Sequence, residues 1–109
     1  LKLALPAICF GAVGTTGQRC TSTRRLILHE SIAASFTEKL VAAYKTLKIG
    51  DPQEPGVHVG PLIDADAVRM FEHAVEAAKS QGAELLYGGT RHERGGNYVV
   101  PAIFRARNE

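Results

Sequence analysis

Tryptophan is absent, and the 109 residues hold only three tyrosines and four phenylalanines. No platform for stacking nucleic-acid bases is evident in so few rings. Charge of one sign is scarce as well: the formal net charge of +2 is too small to indicate a nucleic-acid or acidic-membrane partner. Two cysteines, Cys9 and Cys20, do not make a disulfide scaffold and do not stand at metal-ligand spacing. The four histidines, His29, His58, His73 and His92, lie on different segments. No pair shares a helix face at ligand spacing, which argues against a bound metal. The longest apolar run, Leu3 to Phe10, falls short of the roughly 20 residues a bilayer-spanning helix needs. It also lacks the basic leader and small-residue cleavage site of a signal peptide. Repeats and low-complexity segments are missing too.

What remains is an ordinary globular composition, 45% hydrophobic and 22% charged, in one domain's length. The compartment expected is the reducing cytoplasm. The chain opens on Leu1 inside an apolar segment and closes on Asn108-Glu109 without a capping pattern. Both ends are expected to be cuts in a longer polypeptide.

Leu1, Leu5, Ile8 and Ala12 share a helical face over residues 1–13. Pro6 belongs in a first turn, which places the helix start near Leu3 or Ala4. Gly11, Gly14 and Gly17 are expected to loosen that helix into a turn. Arg24 to His29 reads as a short buried strand. Ser31 is the expected N-cap of a second helix with the stripe Ile32, Phe36, Leu40, Ala43 or Tyr44, and Leu47. Gly50 and Pro52 end it, and a loop runs to Ile63. Asp64 starts a third helix lined by Val68, Phe71, Val75 and Ala78, with Gly82 as its C′ residue. Strands follow at Ala83–Tyr87 and Tyr98–Phe104, the second interrupted by Pro101, which suits an edge or a strand end. The alternation predicts an α/β fold with a largely parallel sheet flanked by helices.

The chemistry concentrates at Phe10-Gly-Ala-Val-Gly-Thr-Thr-Gly-Gln-Arg-Cys20, followed by Thr21-Ser-Thr-Arg-Arg25. A glycine-punctuated turn that delivers one thiol into cationic surroundings suits a nucleophile, because the thiolate is the attacking form and nearby positive charge favours it. Arg24 and Arg25 point to opposite faces of a strand, so at most one reaches the thiol. Structural ion pairing suits both better. Cys9, between Ile8 and Phe10, reads as a packing residue. The glycine spacing is G-x-x-G-x-x-G after a helix, not the dinucleotide fingerprint after a strand. Asp64 and Asp66 read as helix-start residues rather than an acid–base pair.

Gly17-Gln18-Arg19-Cys20, with Phe10 upstream, resembles the active-site cysteine signature of the aldehyde dehydrogenase superfamily. Gly50-Asp51-Pro52 with Val59-Gly60-Pro61-Leu62-Ile63, and Gly88-Gly89 with the strand Asn97–Phe104, are similar to two further hallmarks in the family's order. Gly14-Thr-Thr-Gly-Gln-Arg-Cys-Thr and Arg24-Arg25-Leu26 most resemble the antiquitin-like branch of α-aminoadipic semialdehyde (piperideine-6-carboxylate) dehydrogenases.

The resemblance implies that residues 1–109 are an internal part of the cysteine-bearing catalytic domain. Cys20 is then the catalytic thiol, adding to an aldehyde to give a thiohemiacetal and then a thioester, with its own backbone N–H helping to hold the oxyanion. Arg19 and Thr21 are the candidate substrate-binding residues, although a structural role fits each of them equally. Gln18 is expected to shape the turn. NAD or NADP is the implied cofactor, bound mainly by segments outside this chain, along with the glutamate base and the oxyanion asparagine. The implied partners are a small aldehyde and further copies of the full-length protein in a dimer or tetramer, with no nucleic acid or membrane. The isolated 109 residues are expected to be inactive. Two readings stay open beside this one: a non-enzymatic α/β interaction module, and a redox-sensing domain in which Cys9 resolves an oxidised Cys20.

Overall fold

The computed structural model describes residues 2–107. Leu1, expected on the first helical face, lies outside them, as do Asn108 and Glu109. Three helices carry the structure: α1 (Ala4–Val13), α2 (Glu30–Lys45) and α3 (Ala65–Ser80). Two short strands follow, β1 (Glu84–Tyr87) and β2 (Ile103–Arg105).

Helix α1 begins at Ala4, so Pro6 falls in its first turn, where its missing N–H has no intrahelical partner to lose. Leu5, Ile8, Cys9 and Ala12 pack on the main core beside buried Val13. Helix α2 brings Phe36, Leu40 and Tyr44 to the same core, and Val59 completes it with no exposed surface. The expected stripe is therefore the buried one. The cap differs: His29, not Ser31, is the N-cap, and its Nδ1 accepts the Ser31 N–H at 3.1 Å. Ser31 lies inside the first turn, with its hydroxyl 2.9 Å from the same nitrogen.

Asp64 caps α3 as expected, its carboxylate accepting the Ala67 N–H at 2.8 Å. At the other end the Gly82 N–H donates to the Lys79 carbonyl and the Ala83 N–H to the Ala78 carbonyl. That is the two-bond closure of a Schellman motif, with Gly82 at C′. Val68, Leu62 and Val99 form a second, smaller buried cluster with Ala67 and Phe71 against it.

The largely parallel sheet is not formed among the described residues. Strands β1 and β2 pair antiparallel, and the only parallel pairing described is the isolated bridge Ile49–Val59. The reason is the connection: residues 88–102 contain no crossover helix, so the chain reverses and returns alongside itself. Leu86 is the extra residue of a bulge, and the shifted register continues to the Arg91–Val99 bridge. Pro101 sits just before β2, at the strand end foreseen for it. The Arg24–His29 segment is neither a strand nor buried: it has no ladder partner among the described residues, Leu28 alone packs on the core, and its other five residues are exposed, because no neighbouring strand covers them. None of the described helices is long and apolar enough to cross a membrane.

Candidate active site

Cys20 stands at the tip of a loop whose two ends are tied to each other. The chain leaves α1 at Val13 and returns at Thr23, whose N–H donates to the Gly11 carbonyl at 2.9 Å. Gly11 stays inside the helix and does not loosen it. It allows this approach because a Cβ there would lie 2.6 Å from Thr23 Oγ1. Gly14 has an ordinary φ of −55°. Of the three glycines expected to break the helix, Gly17 alone is left-handed, at φ +68°.

The sharper departure comes from two residues that sequence reasoning passed over. Thr15 and Thr16 adopt φ of +53° and +57°, so residues 15–17 form a left-handed turn. For β-branched residues this backbone region is strained by about 1–2 kcal/mol each. Both hydroxyls are used. Thr15 Oγ1 accepts from Arg19 Nε at 2.7 Å, and Thr16 Oγ1 donates to the Gly60 carbonyl at 3.2 Å. Gln18 joins them: its Oε1 accepts the Ile63 N–H at 2.9 Å, and its Nε2 donates to the Thr15 and Pro61 carbonyls at 3.3 and 3.5 Å. The turn-shaping role expected of Gln18 therefore extends across the chain to the Gly60–Ile63 loop.

Immediately after this latch, Arg19 to Ser22 close a tight turn. The Ser22 N–H donates to the Arg19 carbonyl at 3.1 Å, and the Arg19 N–H donates to Ser22 Oγ at 3.1 Å. Cys20 and Thr21 are its two central residues, both exposed. The Cys20 N–H bonds to no other described residue, so it is open to a ligand. Arg24 supports the turn by donating to the Ser22 and Arg19 carbonyls at 3.0 and 3.2 Å. It binds backbone rather than forming the ion pair expected of it. Arg19 folds back over α1, its guanidinium 5.4 Å from the Phe10 ring centre. Arg19, Cys20 and Thr21 are each exposed, and of the three it is Arg19 that meets Phe10.

Cys9 is separate from this surface. It packs against the core, and burial pushes its thiol above the usual range. Burial also pushes the Tyr44 hydroxyl up to about 12, with a smaller contribution from Cys9. His29, His58 and His92 each spend Nδ1 on a local backbone N–H. No cluster of three metal-ligating side chains occurs among the described residues.

A profile of the aldehyde dehydrogenase family matches residues 1–109. The chain belongs to the aldehyde dehydrogenase family. It is 52% identical over 103 residues to aldehyde dehydrogenase family 7 member A1 of Pisum sativum, covering 94% of this chain and 20% of that protein. It is 48% identical to the α-aminoadipic semialdehyde dehydrogenase of Mus musculus, with 94% of this chain and 19% of the other covered. Among solved structures, betaine aldehyde dehydrogenase from Staphylococcus aureus, in complex with NAD+, superposes with a TM-score of 0.91 at 26% identity. That match covers 94% of this chain and 21% of the other. The chain therefore spans about a fifth of the length of these family members.

The fold is accordingly that of a portion of an aldehyde dehydrogenase, within which the hairpin and the three helices keep the family arrangement. Family members use NAD(P), and Gly11, Gly14 and Gly17 do not form its fingerprint loop. The only triple-glycine run follows a helix rather than a strand, and no buried side-chain polar atom lacks a partner.

Proposed function

We propose that this chain supplies the nucleophile of an aldehyde dehydrogenase acting on an amino-acid semialdehyde. The observation that carries the reading is the exposed Cys20 thiol at the tip of a turn tied from both sides, beside an unbonded Cys20 N–H. The family membership and the semialdehyde dehydrogenases among its relatives agree with it.

The Cys20 sulfur, as thiolate, adds to the aldehyde carbon, and the carbonyl π electrons move onto oxygen. The new oxyanion sits within reach of a donor that no other described group occupies, the Cys20 N–H, which stabilises charge where it develops. Loss of a hydride from that carbon regenerates the C=O bond and leaves a thioester; in this family NAD(P) is the acceptor. Water then loses a proton as it adds to the thioester carbon, the bond from that carbon to Cys20 Sγ breaks, and the acid departs, leaving Cys20 as thiolate. A thiol suits both halves because it attacks well and leaves well.

Arg19 and Thr21 are the proposed substrate-binding residues. Arg19 lies one residue from the thiol and offers a planar cation to a carboxylate at the far end of a semialdehyde. In the structure its guanidinium rests on Phe10 and Thr15, so substrate binding competes with those contacts. The cofactor contacts, the water-activating base and subunit assembly are assigned to the rest of a full-length, cytoplasmic homo-oligomer. The isolated 109 residues are proposed to be inactive.

The test uses the full-length protein, α-aminoadipic semialdehyde and NAD. Cys20→Ser should lower turnover by at least about a thousandfold, the scale of removing a covalent nucleophile. Cys9→Ser should leave turnover within about twofold. Undiminished turnover in Cys20→Ser would overturn the assignment.

A further inference from the structure

We propose that Gln18 is the positioning residue of the nucleophile turn: it latches that turn to the Gly60–Ile63 loop, and so sets where Cys20 meets its carbonyl. The proposal rests on Cys20 being the nucleophile. Its own foundation is a set of contacts across 43 to 45 residues of sequence, made by a side chain that is otherwise exposed.

The geometry gives Gln18 work at both ends of its carboxamide. The oxygen accepts from Ile63 N–H, and the nitrogen donates to the Thr15 and Pro61 carbonyls. Thr16 adds a bond to Gly60 from the neighbouring position. Ile63 directly precedes Asp64, the N-cap of α3, so the latch references the turn to a helix anchored by buried Val68. The residues between the latch and α1 are the left-handed Thr15 and Thr16, whose backbone relaxes elsewhere unless held. The Arg19–Ser22 turn starts at the very next residue, so any rotation of Gln18 moves the sulfur.

Residue chemistry makes the claim specific. Glutamate at position 18 keeps an acceptor for Ile63 N–H and loses both donor bonds. Alanine loses all three. The experiment uses the full-length protein with aldehyde and NAD, and compares Gln18→Ala, Gln18→Glu and Cys20→Ser. Four quantities are read: steady-state kcat and KM, the rate of Cys20 alkylation by iodoacetamide, and the melting temperature.

Iodoacetamide is small and needs no aligned carbonyl, so a positioning defect leaves alkylation nearly unchanged while turnover falls. Gln18→Ala should lower kcat about tenfold or more, since a displacement on the order of 1 Å costs up to a hundredfold. Its KM and alkylation rate should stay within about twofold on that same account. Gln18→Glu, which turns a carboxylate oxygen toward the Thr15 and Pro61 carbonyls, should do no better than Gln18→Ala. The proposal is overturned by a kcat per reactive thiol within about threefold of wild type in Gln18→Ala, the range a mere packing change would give. A parallel fall in alkylation, or a Glu variant with near wild-type kcat, overturns it as well. In any of these cases a dead Cys20→Ser leaves the nucleophile assignment standing, whereas an active Cys20→Ser removes that assignment and the proposal together.

Should Gln18→Ala not fold, the second latch answers the same question. Thr16→Val keeps the side-chain shape and removes the bond to Gly60, and Thr16→Ser keeps the hydroxyl. A kcat reduced in Thr16→Val but retained in Thr16→Ser supports the latch. Equal kcat in the two overturns it.

Discussion

Two left-handed turns in this molecule are built by opposite means. At Gly88, φ is +68°, and a Cβ would strike the Pro101 carbonyl oxygen, so the position requires glycine both for its backbone and for its space. At Thr15 and Thr16 the backbone occupies the same region, yet the residues are β-branched. Glycine would be the less strained choice there, but it has no hydroxyl to accept from Arg19 or to donate to Gly60. The first lies just after β1, within the antiparallel arm that runs on to the Arg91–Val99 bridge, and follows the preference of its backbone. The second is held against that preference by side chains, and it leads into Cys20. Strain retained beside Cys20 agrees with the role proposed for it.

Substitution at the first turn gives the largest expected effect. Gly88→Ala should destabilise by about 3 kcal/mol or more, because the wrong φ and the collision act together. Urea unfolding of the full-length variant, followed by hairpin-specific hydrogen exchange, checks this. A loss below about 1 kcal/mol would show that the hairpin shifts away from Pro101 freely, and the contrast between the two turns would lose one side.

Asp64→Ala comes next. It removes the cap on which α3 and the latch loop depend and should cost about 1 kcal/mol, with Asp64→Asn restoring most of it. The same variants sharpen the comparison if turnover falls more than stability, since the Gln18 bond lies one residue before this cap.

At the second turn the effect should nearly cancel. Thr15→Gly relieves about 1–2 kcal/mol of left-handed strain. It loses an exposed hydrogen bond worth about 0.5–1.5 kcal/mol and adds unfolded-chain freedom of about 0.4–1 kcal/mol. The net change should lie within about 1 kcal/mol of zero, read by the same urea midpoint. A stability gain well beyond that would mean the Thr15 hydroxyl contributes nothing.

These differences track what was legible in the sequence. The stripe Phe36, Leu40, Tyr44, the Asp64 cap and the Gly82 closure were all readable, because local periodicity and capping chemistry decide them within one turn of helix. The cysteine turn was readable as a motif, and Cys9 as packing, from the polarity of their immediate neighbours. Three things were not. Ser31 lost the cap to His29, whose ring nitrogen outcompetes a hydroxyl two residues on. Strand direction depends on what connects two strands, and an irregular 88–102 connection carries no periodic signal. The left-handed threonines and the reach of Gln18 to Ile63 depend on contacts 44 and 45 residues away, which no local rule encodes.

Tyr44 lies between the two regions and gives the smallest effect, confined to alkaline pH. Its ring meets Tyr87 edge-on at 6.3 Å and 89°, next to Gly88, and Cys9 of α1 packs on the same core. Burial, and secondarily Cys9, hold its hydroxyl protonated up to about 12. An unfolded tyrosine releases its proton near 10. The folded state therefore keeps a proton that the unfolded chain has given up. Its contribution to stability is complete below pH 10 and is lost as pH rises through about 12. Cys9, also raised by burial, begins the same trend at lower pH and does so in either variant. Tyr44→Phe has no proton to lose, so its stability should fall less steeply than wild type between pH 10 and 12 while matching it in slope below 9. Urea midpoints at a series of alkaline pH values make the comparison. Equal slopes would mean that the hydroxyl reaches water, and that the seam joining the two turns is wetter than the packing of Tyr44 on Tyr87 implies.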